Sequence, residues 1–150
     1  MQQSVISYLE SQRRRSHWDV FLNTVAASLQ DSVAPEALRA LMRDAGMRAG
    51  RKLPLPACES LEQMQSAANE HWSAMGWGYV SVEDQADHVA ITHVYAPFKD
   101  LLGAESYAWS GGFLEGVYQQ WFMLLGAGED LKVRQVGSGD GETLSFLLAR

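Results

Sequence analysis

The chain has 150 residues, the length of one ordinary domain, and 47% hydrophobic and 20% charged residues exclude a disordered or fibrous protein. The net charge of −6 is unevenly spread: residues 1–52 contain eight Lys and Arg against five acids, and residues 53–150 contain four against thirteen. An acidic body is a poor nucleic-acid surface. The basic first third either pairs with an acidic partner, including another copy of the chain, or is simply solvated.

Neither a membrane span nor a secretory leader is predicted. The apolar runs are a few residues long, far below the roughly 20 that a transmembrane helix needs. The first residues lack a basic stretch followed by an apolar one, so we expect a cytoplasmic protein. The single cysteine, Cys58, excludes an intramolecular disulfide. We expect it to be a small buried hydrophobic residue rather than a nucleophile or a lipidation site.

Three helices are predicted in the first half of the chain. The first runs from His17 to about Asp31, and the second runs from Pro35 to about Ala49 with Gly50 as its terminator. A capping box, Ser60 to Gln63, opens a third helix that ends near Met75. The side chains expected to point inward are Trp18, Phe21, Leu22, Val25, Ala26 and Leu29, then Leu38, Leu41, Met42 and Ala45, then Leu61, Met64, Ala68, Trp72 and Met75. The arginines of the second helix, Arg39, Arg43 and Arg48, are expected to point outward.

The second half alternates between strand and helix patterns. The predicted elements are a hairpin of Trp77–Glu83 and His88–Tyr95, a polar loop to about Tyr107, a helix of about Ser110–Leu125, and a hairpin of Leu131–Val136 and Glu142–Leu148 around a turn at Gly137–Gly141. The fold class is therefore α+β, with N-terminal helices packed on antiparallel hairpins and a long helix between the two hairpins. We divide the chain into an N-terminal segment, residues 1–16, and a single domain, residues 17–150.

A search for catalytic and metal-binding patterns predicts neither. The histidines, His17, His71, His88 and His93, stand in separate elements without ligand spacing, and His93 has the strand period of a core or rim residue. No Gly-x-Ser-x-Gly elbow is present, and no cofactor is expected. Ser110-Gly111-Gly112 either caps the following helix or presents amides to an anion. Trp77 and Trp109 stand beside glycines and are the better candidates for exposed sugar-stacking residues, although burial is the favoured interpretation.

Several short motifs together resemble the D subunit family of the bacterial cellulose synthase complex. The resemblance covers roughly Trp18–Val136. The residues that carry it are Phe21-Leu22-Asn23-Thr24, Gly46-Met47, Leu53-Pro54-Leu55-Pro56-Ala57-Cys58, Met75-Gly76-Trp77-Gly78-Tyr79-Val80-Ser81-Val82-Glu83, Trp109, Leu114-Glu115-Gly116-Val117-Tyr118 and Trp121. Their order and spacing make the match more specific than any one of them.

The resemblance implies a non-catalytic accessory subunit of cellulose biosynthesis. Such subunits form a ring, an octamer built from dimers, whose N-terminal segments face an interior proposed to pass glucan chains. A second family view is a cytoplasmic scaffold that aligns synthase complexes, associated with the inner membrane without entering it. The expected partners are further copies, synthase subunits or a scaffold protein, and β-1,4-glucan. The candidate residues are Gln2, Gln3, Ser4 and Tyr8 for glucan, and Arg13, Arg14, Gly112 and Gly116 for the oligomer interface.

Two points stay open on the residues alone. Gly112 and Gly116 are four apart on one helix, so they permit a close backbone approach either inside the domain or across a dimer. The function also has two alternatives: a small-molecule-binding domain with a pocket between the Ser110–Leu125 helix and the hairpins, or a carbohydrate-active enzyme with two facing carboxylates.

Overall fold

The computed structural model describes residues 2–137 and 142–150, apart from the side chains of residues 10–17. The elements in these residues are α1 (Gln2–Ser32), α2 (Pro35–Lys52), α3 (Leu61–Met75), β1 (Tyr79–Asp84), β2 (Val89–Val94), α4 (Phe98–Leu102), a 3₁₀ helix (Ala104–Ala108), α5 (Gly111–Leu124), β3 (Lys132–Val136) and β4 (Thr143–Ala149). Helices precede the hairpins and one helix separates them, so the predicted α+β class is confirmed.

The four strands form one antiparallel sheet in the order β1-β2-β4-β3. Both predicted hairpins are confirmed, and the pairing of β2 with β4 joins them into one sheet. Alternate residues on each strand are buried, as Val80 and Val82 are on β1, because a strand presents successive side chains to opposite faces. The centre of the turn predicted at Gly137–Gly141, residues 138–141, lies outside the described residues.

Helix α5 forms the centre of the core. Nearly every residue from Gly111 to Phe122 is buried, as expected for a helix that is apolar on most of its sides. The rings of Trp72 and Trp121 lie 5.3 Å apart beside Tyr118, which confirms the predicted burial of both tryptophans. Trp109 is also buried, in a smaller cluster, and Trp77 packs half-buried against the main core.

Helix α1 differs from the prediction in two ways. It is continuous from Gln2, so its predicted start at His17 is wrong. Of its predicted inward stripe only Ala26 is buried, and Trp18 is 58% exposed. The physical reason is that spacing shows where apolar residues line up but does not show which neighbour covers them. The division of the chain at residue 16 stays a prediction.

Helix α2 is rotated relative to the prediction. It continues to Lys52, so Gly50 lies inside the helix and does not terminate it. Leu41 and Ala45 are exposed, whereas Leu38 is buried as expected. Arg39 and Arg43 point inward toward α5, because α5 presents glycines and a carboxylate to them. Arg48 does point outward, as predicted.

The start of α3 confirms the predicted capping box. The Ser60 hydroxyl accepts a hydrogen bond from the Gln63 backbone N–H at 3.1 Å, and the Gln63 side chain in turn accepts from the Glu59 N–H. The helix ends at Gly76, whose φ of 69° is left-handed. Cys58, just before it, is half-buried against the core.

The prediction of a polar loop after Pro97 is wrong. This stretch contains α4 and the 3₁₀ helix, each of five residues. Elements this short contain too few turns to show a helical period in sequence. Their position matters, because α4 is the element against which α1 packs.

Candidate assembly surface

An apolar stripe runs along the second half of α1. We define it as Trp18, Phe21, Val25 and Leu29, which recur at three- and four-residue spacing and therefore lie on one side of the helix. All four are exposed, Trp18 and Phe21 by more than half. The stripe spans about 16 Å along the helix axis. A contiguous apolar surface of this kind marks an interaction site more often than chance exposure does.

The opposite side of α1 holds the helix in a fixed rotation. The Asn23 side-chain amide donates hydrogen bonds to the carbonyls of Asp100, at 2.8 Å, and of Leu101, at 3.2 Å, in α4. Ala26 packs in a small buried cluster with Leu38 and Trp109. Because these contacts use the side facing α2 and α4, the apolar stripe faces away from the domain.

The predicted glucan-binding residues lie in the first two turns of α1. Gln2, Gln3, Ser4 and Tyr8 are all exposed there. Ser4 and Tyr8 are four residues apart and share one side of the helix. Their binding role stays a prediction. The side chains of Arg13 and Arg14, assigned to an oligomer interface, lie outside the described residues.

Gly112 and Gly116 lie against α2 of the same chain. A Cβ atom on Gly112 would lie 2.7 Å from the Arg39 carbonyl oxygen, and one on Gly116 would overlap the Arg43 carbonyl. Gly46 makes the reciprocal approach, toward the Phe113 carbonyl. The backbone approach left open by the sequence therefore occurs inside the chain, which explains these glycines without a second copy. A role in an oligomer interface stays a prediction for them.

A buried carboxylate joins α2, α5 and β3. Glu115 accepts hydrogen bonds from Arg39 at 2.8 Å and from Arg43 at 2.6 Å, one on each carboxylate oxygen. It also accepts from the backbone N–H of Gln135 at 2.9 Å. Because three donors surround it, the charge of Glu115 is neutralised within the fold, and the carboxylate is engaged in structure rather than presented to a substrate.

Side chains from α2 and α5 also cap the outer edge of β3. Gln119 accepts from the Val133 N–H at 2.8 Å and donates to the Leu131 carbonyl at 3.2 Å. Arg43 donates to the Val133 carbonyl at 3.2 Å. Glu115 and Gln119 are the functional residues that sequence reasoning missed. The available signal was two polar residues four apart in an otherwise apolar helix.

The other sheet edge, on β1, is capped from α3. The Asn69 side chain accepts from the Val80 N–H at 2.7 Å and donates to the Val80 carbonyl at 2.9 Å. Gln65 accepts from the Val82 N–H at 2.8 Å. Side-chain caps therefore occupy both edges, and addition of a strand from another chain would have to break these bonds. This favours a helical surface over the sheet for assembly.

His93 lies in the core between β1 and α5. Its Nε2 is 2.7 Å from the Trp77 carbonyl and its Nδ1 is 2.5 Å from the Tyr118 hydroxyl. The carbonyl needs a donor, so Nε2 carries the proton and Nδ1 accepts from Tyr118, which makes the ring neutral. Burial lowers the pKa of His93 to about 4 and raises the pKa of Tyr118. The predicted core position of His93 is confirmed.

We expect acid to destabilise the fold through His93. In the unfolded chain the histidine pKa returns to about 6.5, so between pH 6.5 and about 4 the unfolded state binds a proton that the folded state does not. Stability is therefore lost as the pH falls through this window, by about 3 kcal/mol at most. Urea unfolding at several pH values measures the loss, and a His93→Gln variant should show a flatter dependence.

His88→Gln provides the control for this titration. His88 lies on the surface beside Asp87, so its replacement should leave most of the acid dependence in place. Parallel pH profiles of the wild type and His93→Gln would contradict the assignment to His93.

The described residues show no cation site and no membrane span. Among them, no three His, Cys, Asp or Glu side chains are grouped closely enough to hold a metal ion. None of their helices combines the length and apolar character needed to cross a bilayer. The space between α5 and the sheet, where a pocket was the alternative, contains packed side chains such as Val117, Tyr118 and Phe146.

The N-terminus of α5 is covered as well. The side chain of Gln135 lies against Gly111, and Ser110 makes no capping hydrogen bond. The cap predicted at Ser110 is therefore wrong, and Gln135 already lies on the side where an anion was the alternative.

Comparison with known proteins gives the family. The family model that matches is the one for the D subunit of cellulose synthase, and the match covers residues 4–147. The chain belongs to this cellulose synthase family. The match extends beyond the Trp18–Val136 range of the sequence resemblance and includes most of α1, so the helix that carries the apolar stripe is part of the family pattern.

Individual relatives agree with the family model. Two proteins of Komagataeibacter xylinus, both called cellulose synthase operon protein D, are 27% identical over 110 residues and 29% identical over 106 residues. These alignments cover 72% and 69% of this chain, and 70% and 68% of the relatives. A protein of the same name from Komagataeibacter sucrofermentans is 26% identical over 106 residues, covering 69% of this chain and 68% of the relative.

Proposed function

We propose that this protein is a non-catalytic accessory subunit of bacterial cellulose biosynthesis that works as a homo-oligomer. In this proposal it forms a ring, an octamer built from dimers, and organises glucan chains or synthase complexes for ordered cellulose export and crystallisation. Membership of the cellulose synthase family, and relatives named for the cellulose synthase operon, support the role in cellulose biosynthesis.

The apolar stripe of α1 is the observation that carries the assembly. Its four side chains are rigidly presented on a helix whose other side is anchored to the domain. Burying one large side chain of this kind contributes about 1.5–3 kcal/mol. Two copies related by a two-fold axis would cover each other's stripe, which is the simplest closed arrangement. The capped sheet edges oppose strand pairing as an alternative route.

Charge supports a second contact between dimers. Arg48, Arg51 and Lys52 are exposed near the end of α2, whereas Glu83 and Asp84 are exposed at the β1–β2 turn. A basic surface on one copy and an acidic surface on another give a heterologous contact, the type that closes a ring. Gln2, Gln3, Ser4 and Tyr8 at the start of α1 are then placed toward glucan in the ring interior.

The partners and the compartment follow from the same proposal. Synthase subunits or a scaffold protein, together with β-1,4-glucan, are the proposed partners, and a cytoplasmic position beside an inner-membrane synthase complex is the proposed location. A non-catalytic role is supported by Glu115, a buried core carboxylate that is occupied by two arginines.

Light scattering after size exclusion tests the assembly. We expect the wild type at micromolar concentration to have the mass of an octamer, and Phe21→Glu to shift it to a smaller species, because a charge in the stripe opposes its burial. Leu124→Glu is the matched control: Leu124 is 59% exposed and Phe21 is 56% exposed, but Leu124 lies at the end of α5.

Circular dichroism melting shows whether each variant remains folded. Both substitutions replace exposed side chains, so their melting curves should stay close to that of the wild-type protein. A monomeric wild type, or an octamer that persists in folded Phe21→Glu, would contradict assembly through the apolar stripe.

A further inference from the structure

Two exposed tyrosines form a pair at the end of the first hairpin. Tyr79 begins β1 and Tyr95 follows β2, and their ring centroids lie 6.4 Å apart. Tyr79 is 51% exposed and Tyr95 is 63% exposed. Neither ring belongs to the buried core, so core packing does not explain why aromatic side chains stand at these two positions.

The backbone at Tyr95 is held in a conformation that suits glycine better. Its φ of 64° is the one left-handed angle among the described non-glycine residues. A bulky side chain in this region costs roughly 1–2 kcal/mol, a cost that glycine avoids. The backbone N–H of Tyr95 donates to the Glu142 carbonyl at 2.7 Å, which helps hold this conformation. A strained residue with an exposed ring indicates a role for the ring itself.

A glycine fixes the partner ring beside Tyr95. Gly78, at φ 79°, lies so close to Val94 that an added Cβ would overlap the Val94 carbonyl oxygen. Because the backbone before Tyr79 is pressed against the end of β2, the two tyrosines are held side by side. The pair is therefore preorganised and does not depend on a flexible loop.

Clefts flank the pair on both sides. One, of about 950 Å³, lies between α3 and β1 and includes Tyr79 with Ser66, Glu70 and Ser73. The other, of about 390 Å³, includes Tyr95 with Lys99, Asp100 and Glu142. Both volumes are in the range of ligand-binding clefts. Hydroxyls and charges of both signs line them, a mixture that suits a neutral ligand with many hydroxyl groups better than an ion.

We infer that this tyrosine groove, Tyr79 and Tyr95 with the two clefts beside them, binds a β-1,4-linked glucan chain. A β-linked glucose unit has a flat face of C–H groups that stacks on an aromatic ring, and a rim of hydroxyls that reaches polar side chains at the sides. A chain crossing the tyrosine pair would continue into both clefts. The assignment rests on the proposed role in cellulose biosynthesis, but it places glucan at a site separate from the first turns of α1.

Titration of the assembled full-length protein with cellohexaose in a calorimeter tests this inference. We expect binding, and a loss of affinity of about five- to tenfold in Tyr95→Gly and in Tyr79→Ala, because each loses one stacking contact. Tyr95→Phe keeps the ring and should keep the affinity. Tyr95→Gly should also melt at or above the wild-type temperature, because glycine relieves the left-handed strain.

Two further measurements locate the site and the type of sugar. Hydrogen exchange should show cellohexaose protecting peptides that cover residues 73–79 and 95–100. Maltohexaose, whose α-linked chain curls away from a flat platform, should bind more weakly. Equal binding of both sugars, protection confined to the first turns of α1, or wild-type affinity in folded Tyr95→Gly would overturn the inference.

The mass of each variant separates this inference from the proposed function. Tyr95→Gly should retain the oligomeric mass of the wild type. An assembled wild type that does not bind cellohexaose would remove the tyrosine groove and leave the assembly intact. A monomeric wild type that binds cellohexaose through the two tyrosines would do the reverse.

Discussion

Replacing Glu115 by alanine is expected to lower the free energy of unfolding by about 2–4 kcal/mol. The substitution leaves Arg39, Arg43 and the Gln135 N–H without their shared acceptor, and two of these donors carry a charge. The arginine side chains are 30% and 28% exposed, so water compensates part of the loss and the effect stays below that of a fully buried pair. Urea unfolding at neutral pH measures the change.

Two comparisons show whether the loss comes from the network. Asp44→Ala removes the acid of the surface pair with Arg48, whose side chains are 62% and 71% exposed, and it should cost at most about 0.5 kcal/mol. Glu115→Gln retains one acceptor oxygen and should give an intermediate loss. A Glu115→Ala protein as stable as the Asp44→Ala protein would show that Glu115 does not clamp β3 to the helices.

Replacing Gly46 by alanine is expected to cost about 3 kcal/mol, because α2 and α5 must move apart to accept the new methyl group. The added Cβ would overlap the Phe113 carbonyl oxygen, a backbone atom that cannot rotate away. Alanine is the better helix former by up to about 1 kcal/mol, so the clash must exceed that gain before any loss is measured. Thermal and urea unfolding measure the net effect.

Gly50→Ala is the matched control in the same helix. Its Cβ would lie 2.9 Å from Cβ of Gln120, a side chain that can adjust, so we expect a loss below about 1 kcal/mol or none. Equal losses at Gly46 and Gly50 would contradict the conclusion that backbone contact makes Gly46 intolerant.

Local patterns predicted the sheet and two of the helices well. Both hairpins and α3 depend on interactions between near neighbours: the period of two, the turn residues and the hydrogen bond from Gln63 to Ser60. Helix α5 was recognisable because it is apolar almost all round, which leaves only one environment for it, the core.

The errors fall where a helix has more than one plausible side. In α1, Trp18 and Phe21 align with Ala26 in sequence, yet the helix docks through Asn23 and Ala26 and leaves both rings outside. In α2, Arg39 and Arg43 look like solvent-facing residues until Glu115 is placed opposite them. In each case the deciding partner lies in a distant part of the sequence.

The candidate sites divide in the same way. The family resemblance suggested assembly and glucan binding, and the start of α1 was assigned on that basis. The Tyr79–Tyr95 pair was not predicted, because an aromatic residue at each end of a hairpin has nothing unusual in sequence. Only the positive φ of Tyr95 and the contact between the two rings distinguish it.

The sequence by itself determined the fold class, the family resemblance and the order of most elements, because period, turns and caps act over a few residues. Only the tertiary structure decided which side of α1 is free, that glycines join α2 to α5, and that Glu115, Gln119, Asn69 and Gln65 cap the sheet edges. These features depend on contacts between distant segments, and the free energy of such contacts belongs to the pair rather than to either residue alone.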